Sequence, residues 1–202
     1  MSKLYFIQSP MNGSKSAMLL MKAHSFEERD IAFICIKPSI DNRDGVDVIS
    51  SRVGIKRECI TVEPQENIFS LVKECVMKSE LQLVQPPKWI LVDESQFLTS
   101  EQVNQLAKVV DELDINVICY GLRGDFMTNT FEGSKRLFEL ADEINEMKIS
   151  CSCGRKAIIN ARIDKNGEII IDGEQIVIGG NESYIPLCRK CYYTALSKKN
   201  KC

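Results

Sequence analysis

The sequence lacks three things that would narrow its function at once. It has no excess of one charge: 26 Lys and Arg face 28 Asp and Glu, a formal net charge of −2. Without a global basic field, a bulk coat on DNA or RNA is disfavoured, and nucleic acid is not an expected partner. It has no apolar run of the roughly 18 residues that a bilayer crossing needs, so no membrane partner is expected either. The short apolar stretch near the N-terminus meets a polar loop too soon to be a signal-peptide core, which makes a cytoplasmic protein the expectation. No internal repeat or low-complexity segment stands out. What is present is 202 residues, 44% hydrophobic and 27% charged, enough for one average domain or one domain with a small appendage.

Nine cysteines need their own accounting. Their number is odd and no export signal is visible, so a disulfide framework is not indicated. Cys35 and Cys119 lie in apolar runs and read as small core hydrophobes. Cys151, Cys153, Cys188 and Cys191 form two tight pairs near the C-terminus, which is a metal pattern.

Along the chain, buried strands are expected at residues 3–8, 31–36, 89–92 and 115–120. The second should end at Lys37-Pro38, where proline discourages continuation. Residues 39–57 read as a long polar loop. Helices are expected around Met18–Ala23 and Ile68–Lys78. Two more follow from apolar spacing, one through Val103, Leu106, Ala107, Val110 and Leu113, the other through Leu137, Leu140, Ala141 and Ile144. Strands apolar on both faces, alternating with helices, imply a parallel α/β sheet covered on both sides. Near residue 149 the pattern changes. Residues 157–164 and 168–172 suggest a hairpin around Lys165-Asn166-Gly167. This part is too short for a large core, and a metal would explain its cohesion. The expected division is 1–148 and 149–202, with a basic tail from Ser197 expected to fray.

Three motifs carry chemistry. Ser9-Pro10-Met11-Asn12-Gly13-Ser14-Lys15-Ser16 lies between a strand and a helix, where backbone N–H groups can face a phosphate. Against G-x-x-x-x-G-K-[ST], Lys15 and Ser16 fit, Ser9 and Ser14 occupy the glycine places, and Gly13 lies one position early. An ordinary polar turn would look similar. If the loop binds nucleotide, Lys15 neutralises phosphate charge and the Ser16 hydroxyl binds Mg²⁺. The second motif is the apolar strand Trp89–Val92 ending in Asp93 and Glu94. Asp93 would hold Mg²⁺, leaving Glu94 as a base or water-positioning group. Finding both in order points to a P-loop nucleotide site. The third is the cysteine set. Four thiolates can close a tetrahedral Zn²⁺ shell with no open position, so that zinc would be structural. Between the pairs, Gly179-Gly180 would let backbone approach a ligand, though a mobile loop would carry the same residues.

These blocks together resemble the type II thymidine kinase family, the zinc-containing, RecA-like deoxynucleoside kinases, with the bacterial branch closest. The resemblance runs through Lys3–Phe6, Met11-Asn12, Lys15-Ser16, Asp41-Asn42-Arg43, residues 50–54, 91–98, 119–126, 131–134, 151–156 and 173–184. It implies a P-loop RecA-like domain followed by a zinc-binding domain with a substrate lasso. It also implies transfer of the γ-phosphate of ATP, with Mg²⁺, to the 5′-hydroxyl of thymidine or deoxyuridine in nucleotide salvage. By resemblance Glu94 is the catalytic base. Ser9, Met11, Asn12, Gly13, Ser14, Lys15, Ser16, Asp93 and Gln96 fall on nucleotide-binding positions, and Arg43 falls near the transferred phosphate. Met11, Phe97, Leu122, Phe126 and Phe131 fall on the base and sugar pocket. Ile176, Val177, Ile178, Gly179 and Tyr184 belong to the lasso, which would hold the base through backbone hydrogen bonds. Such a site can reject purines by size and cytosine by its donor pattern. A homotetramer and inhibition by thymidine triphosphate are further implications. The chain departs from the family at Ser14, where glycine is usual, and at Ala17, where threonine is frequent. A Cβ at position 14 could crowd the phosphates or disfavour the loop. A catalytically weakened regulatory homologue is therefore the competing reading. A zinc-dependent nucleic-acid ATPase is a third, which the charge balance disfavours.

Overall fold

A computed structural model describes residues 1–41, 45–175 and 184–199. In chain order the first part runs β1 (Leu4–Ser9), α1 (Lys15–Glu27), β2 (Phe33–Pro38), β3 (Val48–Ser50), β4 (Lys56–Glu58), β5 (Ile60–Val62), α2 (Ile68–Leu81) and β6 (Trp89–Val92). It continues with α3 (Ser100–Leu113), β7 (Asn116–Leu122), α4 (Glu132–Leu140) and β8 (Glu143–Glu146). Six strands form one sheet in the order β5-β2-β6-β7-β1-β8, and every pairing is parallel. The parallel α/β architecture expected from the apolar strands is the one observed.

The two faces of the sheet follow from alternation along each strand. Ile90, Val92, Val117 and Cys119 point to the side covered by α2, α3 and α4, where they meet Val72, Leu106 and Leu137. Leu91, Ile118 and Tyr120 point the other way, onto Leu19, Leu20 and Phe26 of α1. Each fully buried aliphatic side chain contributes about 1.5–3 kcal/mol. Parallel strands buried on both sides therefore need the near-continuous apolar runs seen here. Helix α3 is the most fully specified: Thr99 accepts from the Gln102 N–H, and the Gln102 side chain accepts from the Thr99 N–H, a reciprocal cap.

β2 ends at Pro38, where the sequence places its end, and two other expectations need correction. Pairing with β6 ends at Ile36, so the missing proline N–H breaks no ladder bond there. Residues 39–57 are not one long loop, because β3 and β4 form an antiparallel hairpin. Its strands are too short and too polar to show a period, and tertiary contacts hold them. Ile49 packs against α1, Arg57 makes a two-bond ion pair with Glu27 of α1, and the buried Lys37 Nζ donates to the carbonyls of Gly45 and Val48. Finally, α4 stops at Leu140, leaving Ala141 and Ile144 outside it. Ile144 lies in β8, an edge strand, and is 46% exposed. Asp142 turns the chain there by accepting the Leu4 N–H.

Beyond β8 come β9 (Ile149–Ser150), β10 (Lys156–Ala157), β11 (Ile159–Ile163), β12 (Ile169–Ile170), β13 (Tyr184–Leu187) and α5 (Arg189–Lys199). The expected hairpin is β11–β12, within a three-stranded sheet ordered β12-β11-β13. Asp164 accepts the N–H groups of Asn166 and Glu168, and Gly167 takes φ +80°, which closes the turn. A small separate core forms here around Ala157, Ile159, Ala161, Leu187 and Tyr192, with Cys151 and Cys188 in it. Among the described residues, no helix is long and apolar enough to cross a membrane.

Candidate active site

The C-terminal ends of β1, β6 and β7 share one side of the sheet, and the site is built there. After Ser9 the chain turns into α1 through a loop with two left-handed residues, Asn12 (φ 66°) and Ser14 (φ 54°). Ser14 caps α1 without a side-chain hydrogen bond, and the first turn of α1 holds no acidic residue. Uncapped first-turn N–H groups suit an anion. Gly13 meets a different need. A Cβ there would lie 2.2 Å from Ser9 Oγ and 2.8 Å from Ser9 Cβ, so the loop backbone rests directly on that side chain. Lys15 is buried, and its Nζ donates to Ser9 Oγ and to the Pro10 carbonyl, both at 3.2 Å.

Asp93 follows β6 and is buried beside the loop. Loss of solvent and the neighbouring Glu94 push its carboxyl up to about 7, against the pull of the Ser16 hydroxyl, the Glu94 N–H and Lys15. Glu94 adopts a left-handed conformation, φ 47°, and opens a 3₁₀ turn over Ser95–Phe97. Strain of this kind clusters at functional sites. Gln96 moors the Glu94 carboxylate: its Nε2 donates to Glu94 Oε2 while its Oε1 accepts the Leu122 N–H at 3.0 Å. Gly133 lets α4 press against this turn, since a Cβ there would meet the Ser95 carbonyl at 2.5 Å.

A cavity of about 450 Å³ opens above these groups, a size suited to a small-molecule ligand. One end is lined by residues 11–16 and Glu94. The other end is aromatic. Phe97 and Phe131 meet edge to face at 5.7 Å, with Leu122, Phe126 and Tyr184 around them. The buried Asn160 joins the two ends from β11. Its Oδ1 accepts the Met11 N–H at 2.6 Å, and its Nδ2 donates to the Gly124 carbonyl at 2.8 Å. Arg162 stacks 4.4 Å from the Phe126 ring, donates to Tyr184 Oη at 3.0 Å and to the Glu174 carbonyl at 3.2 Å.

The structure thus brings Met11 to Ser16, Glu94, Gln96, Phe97, Leu122, Phe126, Phe131 and Tyr184 to one cavity. Ser9 and Asp93 lie behind its wall and act on it through Lys15 and Ser16. Arg43 and Ile176 to Gly179 lie outside the described residues. Sequence reasoning missed Asn160, Asp125 and Gln175; at the cavity wall Gln175 Nε2 donates to Asp125 Oδ2 at 2.8 Å. Asn160 had one signal, a lone amide between Ile159 and Ala161, while Asp125 and Gln175 fell within blocks of the family resemblance without standing out from them.

The four cysteines converge as expected. All four Sγ atoms lie within 4.8 Å of one another, and Cys153 and Cys188 are 3.6 Å apart. A tetrahedron with Zn–S bonds of about 2.3 Å needs sulfurs about 3.8 Å apart, so the cluster fits zinc. Backbone N–H groups of Cys153 and Cys188 lower the Cys151 thiol, favouring the thiolate a metal needs. Buried Cys35, pushed up to about 12 by loss of solvent, is a neutral core thiol by contrast.

Fold and site together define a P-loop nucleotide-binding α/β protein with an aromatic pocket beside its phosphate loop. The thymidine kinase family model matches residues 2–192. A thymidine kinase of Haemophilus influenzae (strain 86-028NP) is 44% identical over 202 residues, covering 100% of this chain and 98% of that protein. Those of Pasteurella multocida (45% over 192 residues; 95% and 97% covered) and Streptococcus pyogenes serotype M3 (43% over 194; 96% and 98%) are similar throughout. The chain belongs to the thymidine kinase family. Among solved structures, the Pif1 helicase from Candida albicans matches 72% of this chain and 36% of its own, with TM-score 0.43 and 14% identity, too distant to add to that assignment.

Proposed function

We propose that this protein transfers the γ-phosphate of ATP to the 5′-hydroxyl of thymidine or deoxyuridine. One observation carries the reading beyond family membership: a single cavity is lined by the phosphate loop, by Glu94 and by the aromatic slot. The nucleoside base occupies the slot formed by Phe97, Leu122, Phe126, Phe131 and Tyr184, which places its 5′-hydroxyl toward Glu94. Glu94 accepts the hydroxyl proton as the oxygen attacks, and Gln96 holds the carboxylate in place. Lys15 and the first-turn N–H groups of α1 hold the phosphate chain. Ser16 and Asp93 are the residues that would hold Mg²⁺, which neutralises charge on the phosphates when bound. Arg43 and the segment Ile176 to Gly179 are assigned to the transferred phosphate and the base by resemblance.

The cysteine cluster would hold a structural zinc within a C-terminal unit, residues 149–202, that supports the slot. Tyr192 on α5 donates to the Phe126 carbonyl, which ties that unit to the slot wall. Homotetrameric assembly, feedback binding of thymidine triphosphate and a cytoplasmic location belong to the same reading and rest on family resemblance. The weakened-homologue reading rested on Ser14. The match to thymidine kinases at 43–45% identity over nearly the whole chain favours the active enzyme. The test is transfer from Mg·ATP to labelled thymidine. The native chain should form thymidine monophosphate and Glu94→Gln almost none; no product from the native chain would refute the reading.

A further inference from the structure

The turn between β3 and β4 is left unused by the account above, yet it reaches the phosphate loop. Arg52 lies at its tip, and its Nη2 donates to Asn12 Oδ1 at 2.7 Å. Ser50, Ser51, Arg52 and Val53 line the same cavity as residues 11–16. The tip is an ordered turn: the Ser51 N–H donates to the Ile55 carbonyl, the Gly54 N–H donates to the Ser51 carbonyl, and Gly54 takes φ +84°.

Arg52 is not needed to fasten this hairpin. Ile49 is buried against α1, and Arg57 makes its two-bond pair with Glu27. Lys37 holds the approach to β3 through two carbonyls. The guanidinium is exposed and keeps N–H groups to spare beyond its one bond to a neutral amide. The charge around the cavity also asks for it. Among the described lining residues, Lys15 and Arg52 are the cations, against the carboxylates of Asp41, Glu94 and Asp125. A triphosphate with one Mg²⁺ brings about two further negative charges. Lys15 is directed inward to Ser9 and Pro10. Arg52 is the described cation on the open side of the phosphate loop, and its planar fork suits phosphate oxygens.

We infer that Arg52 is a phosphate-binding residue, exchanging its bond to Asn12 for the phosphate chain of ATP as the nucleotide enters. The inference rests on the phosphate-transfer reading but is tested by binding alone, so the two can fail separately. Calorimetry would measure Mg·ATP, AMP and thymidine on the native chain, Arg52→Gln and Arg52→Lys, with the ligand-free melting temperature of each. A solvent-facing guanidinium–phosphate contact is worth about tenfold in affinity. Arg52→Gln should therefore weaken Mg·ATP about tenfold, with a shallower salt dependence, and leave AMP, thymidine and ligand-free melting within error. Arg52→Lys should recover most of the loss. Unchanged Mg·ATP binding in Arg52→Gln would overturn the inference. So would an equal weakening of all three ligands with a lower ligand-free melting temperature, which is what a mere fastener would give. Thymidine phosphorylation by the native chain, or its absence, bears on the function and leaves this comparison intact.

Discussion

Gly13→Ala is the most demanding test of how the phosphate loop is built. The new Cβ would lie 2.2 Å from Ser9 Oγ, 2.8 Å from Ser9 Cβ and 3.0 Å from Ile149 Cδ1. Rotating Ser9 could remove the first clash but not the second, so the loop backbone must move. It would also release Lys15 Nζ, which donates to Ser9 Oγ. Overpacking of this kind costs about 1–3 kcal/mol. For a chain of this size that lowers the melting temperature by roughly 2–12 °C. The kinetic effect should be larger, because a misplacement of about 1 Å can cost about a hundredfold where groups must be aligned. Steady-state thymidine phosphorylation should show kcat/KM for ATP down by about 10- to 100-fold. Ser14→Gly is the matched comparison. It relieves a left-handed serine, worth about 1 kcal/mol, and adds a similar freedom to the unfolded chain. Its melting temperature should move by no more than about 2 °C and its kcat/KM should not fall. Removing the obstacle in Ser9→Gly/Gly13→Ala should recover part of the lost stability, a coupling that adjacent sites permit. If Gly13→Ala phosphorylates thymidine at the native rate, or Ser14→Gly is slower than native, the account of the loop is wrong.

Three other outcomes follow. Glu94→Gln keeps the shape and the hydrogen bond to Gln96 but cannot take a proton; kcat should fall by about 10²- to 10⁴-fold with little change in either KM, and a change confined to KM would remove Glu94 as the base. Asp93 is protonated in part near neutrality because burial and Glu94 raise it to about 7, whereas Mg²⁺ needs the carboxylate. Mg·ATP affinity should therefore fall as pH drops below about 7, and calorimetry in two buffers of different ionisation heat should detect proton release near pH 6.5. No release would mean the carboxyl is already ionised without ligand. Purified protein should carry about one zinc per chain, and chelation should unfold the C-terminal sheet first, seen as early hydrogen exchange across β11 and β13. Thymidine binding should weaken with it, since Asn160 and Tyr192 hold the Met11, Gly124 and Phe126 backbone from that side. Full thymidine affinity in metal-free protein would sever that link.

What the sequence revealed and what it hid divide along physical lines. Ile90-Leu91-Val92 and Val117 to Tyr120 were legible because a strand buried on both faces has no choice but to be apolar throughout. The β3–β4 hairpin was hidden because no local period specifies it; an ion pair to α1 and a buried lysine do. Ile144 kept the spacing of α4 but belongs to an edge strand, where one exposed isoleucine and two glutamates look like a helix face. In the site, Lys15-Ser16 and Asp93-Glu94 could be read from the chain because the first pair opens the helix after a buried strand and the second follows directly on one. Their supports could not: Gln96 meets Leu122 and Asn160 meets Met11 across long stretches of sequence. The phosphate loop shows why a motif can mislead. Its glycines stand for two separate needs, a left-handed backbone and a close approach to a neighbour. Here position 14 has the left-handed backbone and bears it with serine, while position 13 has the close approach and keeps glycine. A residue that looks misplaced by one in the pattern is in place in the structure, so the missing glycine before Lys15 is not by itself a sign that the loop has lost its use.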